Sequence, residues 1–549
     1  MDRKRYRPAV WAVTAWVAWG VGCAELLGLE KAEEDKCAPA GCGATAGSGG
    51  NGGGGTGGAP LCTPNETRSC YSGPTVTEGV GNCLAGTETC AADGQSWGTC
   101  VGEITPQAEA PSVFGDEACD GYIPGETLCA RLFGDGANQV SLRVVGGNDG
   151  SFVVAGVLNG AIDFGPKVLV GQDIIFVAQL NAYCEVIWAT QIGGSTQSRL
   201  GDVVINDQNE IIVAGSSGVS FSIGTTPVSA GIFLVKLSGI DGTPVWSASC
   251  ATPSTASVAH SVATNSTGDI FVGGSYWTSI DCGQGAKAGT GSADGFVAKF
   301  DGTSGGLSWL SAYGTTLNGY QEITALALDP AGQVVGVGTF ENGVTVAGQN
   351  LVAVGDRDTF VLRLGADGSV IWVKQFGGSL GLFVEDVAVD GLGAAIVTGA
   401  FTGTIELPTL PDLTNLNAFD GFVFKLDASG TPLWAWSFGD STEQAGSRVA
   451  VDSEGDVILA GRFQGTLSLN GAAPLNASAY ADGFVAKIKG QDGAHVWSRA
   501  FEDADYGIGA APAPDRTILV SGTIGKAVDY GTGLLMPKGD DIFVLHLAP

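Results

Sequence analysis

The sequence is poor in the residues that build long helices and basic surfaces. Only 15% of its 549 residues are charged and only 2 are methionine, whereas 88 are glycine. This composition disfavours long solvated helices and favours short strands joined by turns. Lysine and arginine number 26 against 56 aspartates and glutamates, which gives a formal net charge of -30. Because such a surface repels phosphate backbones, nucleic acid is excluded as an expected partner.

Long apolar runs are also scarce, and the main one lies at the start of the chain. Residues 9–22, AVWAVTAWVAWGVG, follow a basic segment that contains Arg3, Lys4, Arg5 and Arg7. The run is shorter than the roughly 20 residues that a membrane-spanning helix needs. The pattern therefore predicts a signal peptide over residues 1–22 and an exported protein.

The residues after this run suggest a lipid anchor. Gly20-Val21-Gly22-Cys23 resembles the lipobox of bacterial lipoproteins, which implies a lipid on Cys23. Ala24 follows instead of the aspartate that tends to retain lipoproteins at the inner membrane, so the resemblance implies the outer membrane or the cell surface. Gly20 stands where the family usually has leucine, and cleavage by the ordinary signal peptidase is the alternative. Contact with the membrane is expected only through the anchor.

Two segments of low apolar content come next. Residues 23–61 include the run GATAGSGGNGGGGTGGAP and are interpreted as a flexible tether. Residues 62–127 are interpreted as a module stapled by disulfides, because an exported segment with few bulky residues needs covalent support. Zinc is the alternative, but the segment has no histidine and no cysteine pair at zinc-module spacing. Its cysteines are Cys62, Cys70, Cys83, Cys90, Cys100 and Cys119. The segment resembles a cysteine-rich module found ahead of repeat domains in some bacterial surface proteins.

Residues 128–549 contain a repeated strand signature of the kind DGFVAKF, present in seven copies. Its phenylalanines are Phe176, Phe233, Phe296, Phe360, Phe422, Phe484 and Phe543. A unit of about 60 residues fits a four-stranded propeller blade. A tryptophan follows each of the first six copies, while the last copy ends the chain. The missing strand is supplied by residues near 128–134, so the fold class predicted is an all-β, seven-bladed propeller closed by three strands plus one.

These elements resemble the bacterial seven-bladed β-propeller repeat (SBBP-like) family. The resemblance rests on the D-x-F-V-A-K-L strand and on hairpins such as VAVDSEGDVILAG at residues 449–461. It implies architecture and not activity, because propellers host enzymes, receptors and scaffolds.

Residues with obvious chemistry are few. His260, His495 and His546 lie in different repeats and are interpreted as isolated, and no serine-elbow motif has a suitable setting. Repeated turn residues are interpreted as turn formers and not as calcium ligands; they are Asp149, Asp207, Asn265, Asp329, Asp390 and Asp452. No catalytic residue, metal or cofactor is therefore predicted.

Departures from the repeat are better pointers to a site. The third unit reads SYWTSID, and we expect Tyr276 and Trp277 to be exposed near a loop as candidate ligand-binding residues. The fifth unit has an insertion at residues 407–420. The alternative for the two aromatic residues is that they fill a gap between blades.

A disulfide is predicted between Cys250 and Cys282. In other units the corresponding positions are both apolar, as in Phe133 with Phe164 and Phe438 with Leu469. Two cysteines in the same register of an exported chain indicate a bond that closes a loop of about 30 residues.

Two functions stay open. The favoured one is a non-catalytic binding or scaffold module at the bacterial cell surface, monomeric, with a protein or a glycan as ligand. The alternative is a secreted carbohydrate-active enzyme, which would be favoured if acidic residues from several blades met at the channel mouth.

Overall fold

The computed structural model describes residues 61–80, 82–106, 123–165, 167–193, 198–290, 292–316, 319–478, 481–504 and 506–549. Cys62–Pro549 forms one compact unit, and of the residues before it only Leu61 is described. The signal peptide, Cys23 and the tether therefore lie outside the described residues. Among the described residues there is no helix with the length and apolar character needed to cross a membrane.

Disulfides hold the segment that precedes the repeats. Strand Thr67–Cys70 pairs with strand Gly86–Thr89, and a single 3-10 turn covers Thr75–Thr77. Cys62 is bonded to Cys90, and Cys70 to Cys100. Cys83 is also disulfide-bonded, whereas Cys119 lies outside the described residues.

Seven four-stranded antiparallel sheets follow, and each is one blade. The inner strands of blades 1 to 7 are Val140–Gly146, Ser198–Ile205, Val258–Thr264, Gln321–Leu328, Leu382–Val389, Gln444–Val451 and Tyr506–Pro512. The second strands are Phe152–Asp163, Ile211–Ser217, Ile270–Tyr276, Val334–Phe340, Ala395–Ile405, Val457–Phe463 and Ile518–Ile524. The third strands are Val168–Leu180, Gly231–Leu237, Asp294–Phe300, Asp358–Leu364, Leu413–Leu426, Asp482–Ile488 and Asp541–Leu547. The outer strands are Val186–Ile192, Pro244–Cys250, Leu307–Tyr313, Val370–Phe376, Pro432–Phe438, His495–Phe501 and, for blade 7, Thr127–Phe133.

Short ribbons extend five of the blades between the second and third strands. Their strands are Phe221–Ile223 with Thr226–Val228, Ser279–Ile280 with Lys287–Ala288, Gly343–Val346 with Gln349–Val352, Thr466–Leu467 with Leu475–Asn476, and Val528–Asp529 with Leu534–Leu535. In blades 1 and 5 the second and third strands themselves are longer.

The ring closes as the repeat phase predicts. Thr127–Phe133 pairs with Asp541–Leu547, and Phe133 lies opposite Ile542. The first strand of the repeat region therefore completes the last blade, which leaves three strands of blade 7 from the end of the chain and one from its start. The seven-bladed prediction and its closure are confirmed.

The hydrophobic core lies between neighbouring blades. One cluster joins Val335 and Val361 of blade 4 to Val384 and Phe422 of blade 5, and all four side chains are buried. Since a sheet has two faces, each blade packs on both neighbours and alternating apolar residues on both faces are used. The repeated phenylalanine of the third strand is fully buried in each of the seven blades.

A second repeated contact connects blades 1 to 5 to the blade that follows each, because the indole N–H of the repeat tryptophan donates to a backbone carbonyl in the outer hairpin of the next blade. In blade 2, Lys236 and the indole N–H of Trp246 both donate to the carbonyl of Gly302, in the outer hairpin of blade 3. In blade 5, Lys425 and Trp434 both donate to the carbonyl of Gly490 in the same way. In these blades the lysine and the tryptophan of the repeat serve contacts between blades, whereas the indole N–H of Trp497 in blade 6 has no hydrogen-bond partner among the described residues.

The inner hairpin turns use the acidic residues of the repeat as expected, with one correction. Asp329 Oδ1 accepts the backbone N–H groups of Ala331 and Gln333 at 2.9 and 2.8 Å. In blade 2 this role belongs to Asn206, which accepts from Glu210 at 2.8 Å, and the assignment to Asp207 was wrong by one residue. Local hydrogen bonding of this kind is what favours Asp and Asn in tight turns.

The aspartate that begins the third strand is well bonded in several blades but not in blade 5. Asp482 accepts the N–H of Ser478 at 2.8 Å and the N–H of Asp503 at 3.1 Å. In blade 5, which carries the insertion, Asp420 Oδ1 has no hydrogen-bond partner among the described residues. Burial and the nearby charge of Asp440 raise the pKa of Asp420 to about 6.

Asp420→Asn is therefore expected to stabilise the protein at pH 7. An acid whose pKa is raised by folding binds a proton more tightly in the folded state, so its contribution to stability declines as the pH rises from about 4 to about 6. Asparagine carries no charge and so avoids this loss of stability at pH 7. Because the carboxyl of Asp420 is partly exposed, we expect the free energy of unfolding to rise by about 1 kcal/mol. Urea unfolding at pH 7 and at pH 4 measures the effect, which should vanish at pH 4. Asp482→Asn is the matched control and should destabilise at pH 7. An equal gain for Asp420→Asn at both pH values would contradict the prediction.

Candidate functional site

The mouth of the central channel, at the end where the inner strands begin, is the candidate site. All seven inner strands contain an irregularity in their pairing with the second strand, near their start. In blade 3 the extra residue is His260, and in blade 5 it is Glu385. A bulge of this kind changes the direction of side chains beside it. It therefore brings polar residues of different blades to the channel.

A belt of hydrogen bonds follows just after the bulges. Arg143 Nε donates to Asp202 Oδ1 at 2.7 Å, so blade 1 is joined to blade 2. Asp202 Oδ2 accepts the N–H of Val262 of blade 3 at 3.1 Å. The Ser261 hydroxyl accepts the N–H of Leu326 of blade 4 at 3.1 Å. These bonds use the carboxylate and hydroxyl to connect neighbouring blades.

The belt continues on the other side of the channel. Asp386 Oδ2 accepts the N–H of Val449 of blade 6 at 3.0 Å. Burial raises the pKa of Asp386, and the charge of Arg448 partly offsets that rise. Burial together with the positive charge of Arg448 lowers the pKa of Arg143. We interpret the belt as structural, because its polar atoms are engaged between blades.

A second polar group lies nearer the mouth, between blades 3 and 4. His260 Nε2 is 3.3 Å from Glu322 Oε2 and 3.4 Å from the Ser275 hydroxyl. The hydroxyl of Ser275 is also 3.3 Å from the hydroxyl of Tyr320, and Thr339 donates to Glu322 at 3.0 Å. The same histidine nitrogen faces both the serine and the glutamate. A nucleophile relay needs the two ring nitrogens to serve different partners, so this group is not arranged as a catalytic triad.

The two glutamates at the mouth have opposite pKa shifts. Burial by itself raises the pKa of Glu322, but hydrogen bonds from His260 and Thr339 outweigh it and hold that pKa below its usual value. Glu385 is exposed to solvent, and the protein around it desolvates the carboxyl enough to raise its pKa. The charge of Glu322 adds to the rise, whereas the charges of Arg448 and Arg462 oppose it. Burial and the charge of Glu322 also raise the pKa of Tyr320 to about 12.

Aromatic side chains form a strip beside these glutamates, across blades 3 to 5. The ring centroids of Trp277 and Tyr320 are 6.3 Å apart, and those of Phe383 and Phe419 are 5.4 Å apart. Between the two pairs, the Arg357 guanidinium lies 5.9 Å from the ring of Tyr320 and 5.0 Å from the ring of Phe383. Arg357 also forms an ion pair with Glu341 at 2.7 Å. We call these five residues, from Trp277 to Phe419, the aromatic strip; all are partly exposed.

The structure separates the two aromatic residues that the sequence singled out. Tyr276 is 1% exposed, packs on Phe296 and directs its hydroxyl to Asp294, so the expectation that it is exposed was wrong. Alternation along the strand explains the error, because Tyr276 ends the second strand of blade 3 with its side chain in the core. Trp277, one residue later, is half-buried and belongs to the strip. Whether either residue binds a ligand stays a prediction.

The disulfide predicted between Cys250 and Cys282 is present in the structure. The two Cα atoms are 4.0 Å apart, and the bond connects blade 2 to the loop of blade 3. A second bond, between Cys129 and Cys184, was not foreseen. Cys129 stands at the tryptophan position of blade 7, and Cys184 lies in the outer hairpin of blade 1. The disulfide thus occupies the place where other blades use a tryptophan hydrogen bond to their neighbour.

Sequence reasoning missed the group of His260, Glu322 and Glu385, which come from three blades. His260 was interpreted as isolated, whereas it contacts a glutamate 62 residues later in the chain. A usable signal was present in the repeat itself, since His260 and Glu385 occupy the same bulged position in blades 3 and 5. Within the parts of the chain that the structure describes, no group of three or more His, Cys, Asp or Glu is arranged to hold a metal ion.

Comparisons with known proteins give a distant relationship. No family model matches the chain. An uncharacterised WD repeat-containing protein, L264 of Acanthamoeba polyphaga mimivirus, is 26% identical over 185 residues, which cover 30% of this chain and 13% of that protein. The matched part is thus a small share of the viral protein.

Several solved structures resemble the chain weakly. Saccharomyces cerevisiae Sqt1 has a TM-score of 0.37 and 9% identity, covering 78% of this chain and 100% of Sqt1. The polysaccharide lyase Uly1 has a TM-score of 0.40 and 8% identity, covering 78% of this chain and 93% of the lyase. At these values neither likeness bears on activity. A seven-bladed β-propeller with a distant WD-repeat relative is the description that the fold and the comparisons support together.

Proposed function

We propose that the protein is an exported binding β-propeller, held at the bacterial cell surface by a lipid on Cys23, and that the channel mouth is its ligand site. One observation carries the binding part: carboxylates, a histidine and partly exposed aromatic rings from blades 3, 4 and 5 converge on the same end of the channel. Ligand sites of proteins combine apolar and aromatic walls with a few polar groups in this way. The assignment to an SBBP-like lipoprotein with a cysteine-rich module belongs to the same proposal.

The anchor follows from residues 20–23 and from the length of chain behind them. A flexible tether over residues 23–61 would hold the cysteine-rich module at 62–127 and the propeller at 128–549 away from the membrane. The net charge of -30 disfavours contact with anionic headgroups, so the lipid is the proposed means of attachment.

Cys23→Ser tests the anchor. We expect the wild-type chain to fractionate with membranes and the variant to be released, because a serine cannot carry the thioether-linked lipid. Mass spectrometry of the mature N-terminus should find a lipid on Cys23 in the wild type. A wild-type mature chain that starts elsewhere without lipid would overturn the anchor and leave the binding proposal unaffected.

Glu322→Gln and Glu385→Gln test the channel mouth. The full chain and the double variant are screened by calorimetry against neutral oligosaccharides, anionic oligosaccharides and peptides of the envelope. If the mouth is the site, at least one class binds the wild type and loses affinity for the variant. The proposal would be overturned if each ligand that binds the wild type bound the double variant with the same affinity, or if no ligand bound the wild type.

A secreted carbohydrate-active enzyme is the second candidate, and one observation favours it. Glu322 has a lowered pKa and Glu385 a raised one, and a pair of carboxyl groups with divergent pKa values is the arrangement used for general base or nucleophile and general acid. Incubation of the full chain with neutral oligosaccharides, followed by an assay for new reducing ends, distinguishes the two candidates. Cleavage lost in Glu385→Gln would favour the enzyme.

A further inference from the structure

We infer that the channel mouth binds a neutral glycan, with the aromatic strip as the stacking surface for its sugar rings. The inference rests on the proposed function, because it names the ligand class of the same site. It is carried by the shape, the hydrogen-bonding groups and the charge of the residues at the mouth.

The aromatic strip supplies the stacking surface. Trp277, Tyr320 and Phe383 are only partly buried, in contrast with the third-strand phenylalanines, which are fully buried. A sugar ring has one face of C–H groups and a rim of hydroxyls, so it can lie on an aromatic ring and still direct its hydroxyls sideways. Aromatic side chains with one solvated side suit this mixed surface.

Glu385 and Glu322 supply acceptors beside the strip. Glu385 is reached by solvent, and the structure gives it no protein hydrogen-bond donor among the described residues. Glu322 is held in place by Thr339 and His260. Carboxylates bind hydroxyl groups through charge-assisted hydrogen bonds, which are stronger than neutral ones.

The charges at the mouth favour a neutral ligand over an anionic one. Arg357, the cation of the strip, is already paired with Glu341 at 2.7 Å. Glu322 lies near Arg357, and although Arg448 and Arg462 act on Glu385, burial and the charge of Glu322 still raise its pKa. The chain as a whole carries -30. An anionic glycan would bring its carboxylates or sulfates toward these glutamates, and like charges at close range disfavour binding.

The belt of hydrogen bonds lies directly below the polar residues of the mouth. Along the inner strands, Ser261 and Asp386 of the belt follow His260 and Glu385 directly. Their polar atoms are engaged by neighbouring blades, as in the bond from Leu326 N–H to Ser261. A ligand that enters from the mouth therefore meets the glutamates first and the belt immediately below them.

Calorimetry with the full chain tests the inference. The probes are cellohexaose, laminarihexaose, mannohexaose and chitohexaose, with hexagalacturonate as the anionic counterpart. We expect at least one neutral hexasaccharide to bind and hexagalacturonate to bind at least ten-fold more weakly. Trp277→Ala and Phe383→Ala should each weaken the neutral probe by about ten-fold or more, as expected for aromatic anchors of a binding site.

Tyr183→Ala is the matched control. Tyr183 is 76% exposed in the outer hairpin of blade 1, at the opposite end of the blades, and its replacement should leave binding unchanged. Thermal unfolding of each variant separates loss of binding from loss of the fold. If hexagalacturonate or an envelope peptide binds instead, and binding depends on Trp277, the glycan inference fails while the proposed site stands. If no probe of any class depends on the mouth residues, both fail.

Discussion

Arg363→Met is expected to lower the free energy of unfolding by about 3–5 kcal/mol, the usual result of removing one partner of a buried ion pair. Arg363 is 4% exposed and pairs with Asp329, which is 8% exposed. Methionine matches the length of the side chain but leaves the carboxylate of Asp329 buried without its cation. The dominant cost is the uncompensated charge and not lost packing.

The same arginine also joins two blades. Its Nη1 donates to the carbonyl of Gly393 at 2.9 Å and to that of Ala428 at 3.2 Å, both in blade 5. Nε donates to Gln333 at 2.7 Å. Its removal therefore weakens the interface between blades 4 and 5 as well as the turn of blade 4. Urea unfolding followed by tryptophan fluorescence measures the loss.

Arg363→Lys is the matched comparison, because lysine holds this position in blades 2, 3, 5 and 6. Lys425 of blade 5, for example, pairs with Asp390 at 2.7 Å and reaches the next blade through Gly490. A lysine at 363 can keep the ion pair but cannot make all the other bonds of the guanidinium. We expect a loss well below that of Arg363→Met. Equal losses for the two variants would show that the charge is not the cause.

The sequence predicts the ring well because its architecture is repeated. Seven copies of one strand give seven blades by counting, and the phase of the first and last copies gives the closure, which the pairing of Phe133 with Ile542 confirms. The paired positions behind the Cys250–Cys282 prediction also repeat. In another repeat unit the corresponding two positions hold Phe133 and Phe164, whose ring centroids are 5.0 Å apart. Because seven copies support the same fold, a misassigned strand in one copy does not change the predicted number of blades or the predicted closure of the ring.

The candidate site could not be predicted in the same way, because it depends on where the copies differ. Glu322 and Glu385 are 63 positions apart in the sequence, and only the ring of blades brings them close enough for the charge of one to act on the other. No local spacing records this proximity. The bulge adds a further obstacle: one extra residue in each inner strand changes which side chains face the channel, as His260 illustrates.

Gly377→Ala is expected to lower the free energy of unfolding by about 1–3 kcal/mol, the usual cost of inserting atoms into a packed interior. A Cβ at this position would lie 2.2 Å from Cγ of Asp358 and 2.3 Å from each of its oxygens. Asp358 cannot move aside freely, because its Oδ2 accepts the N–H of Val354 at 3.0 Å and the side-chain amide of Gln375 at 2.6 Å. The backbone of Gly377 is not in the left-handed region, so the cost is steric and not conformational.

A double-mutant cycle with Asp358→Ala isolates this contact. Asp358→Ala alone should destabilise the protein, but it removes the atoms that the new methyl group would meet, so Gly377→Ala should cost much less in that background.

Gly391→Ala is the matched glycine control, since a Cβ there meets nothing within 4 Å and its φ is not positive. We expect it to change the free energy of unfolding by less than about 0.5 kcal/mol. The motif in which an aromatic residue precedes glycine recurs in blades 3, 5 and 7, where a Cβ added to Gly314, Gly439 or Gly134 would lie 2.0 to 2.4 Å from the nearest atom of Asp294, Asp420 or Asp541, respectively. If Gly377→Ala cost no more than Gly391→Ala, close packing on the aspartate would not explain why the repeat keeps this glycine.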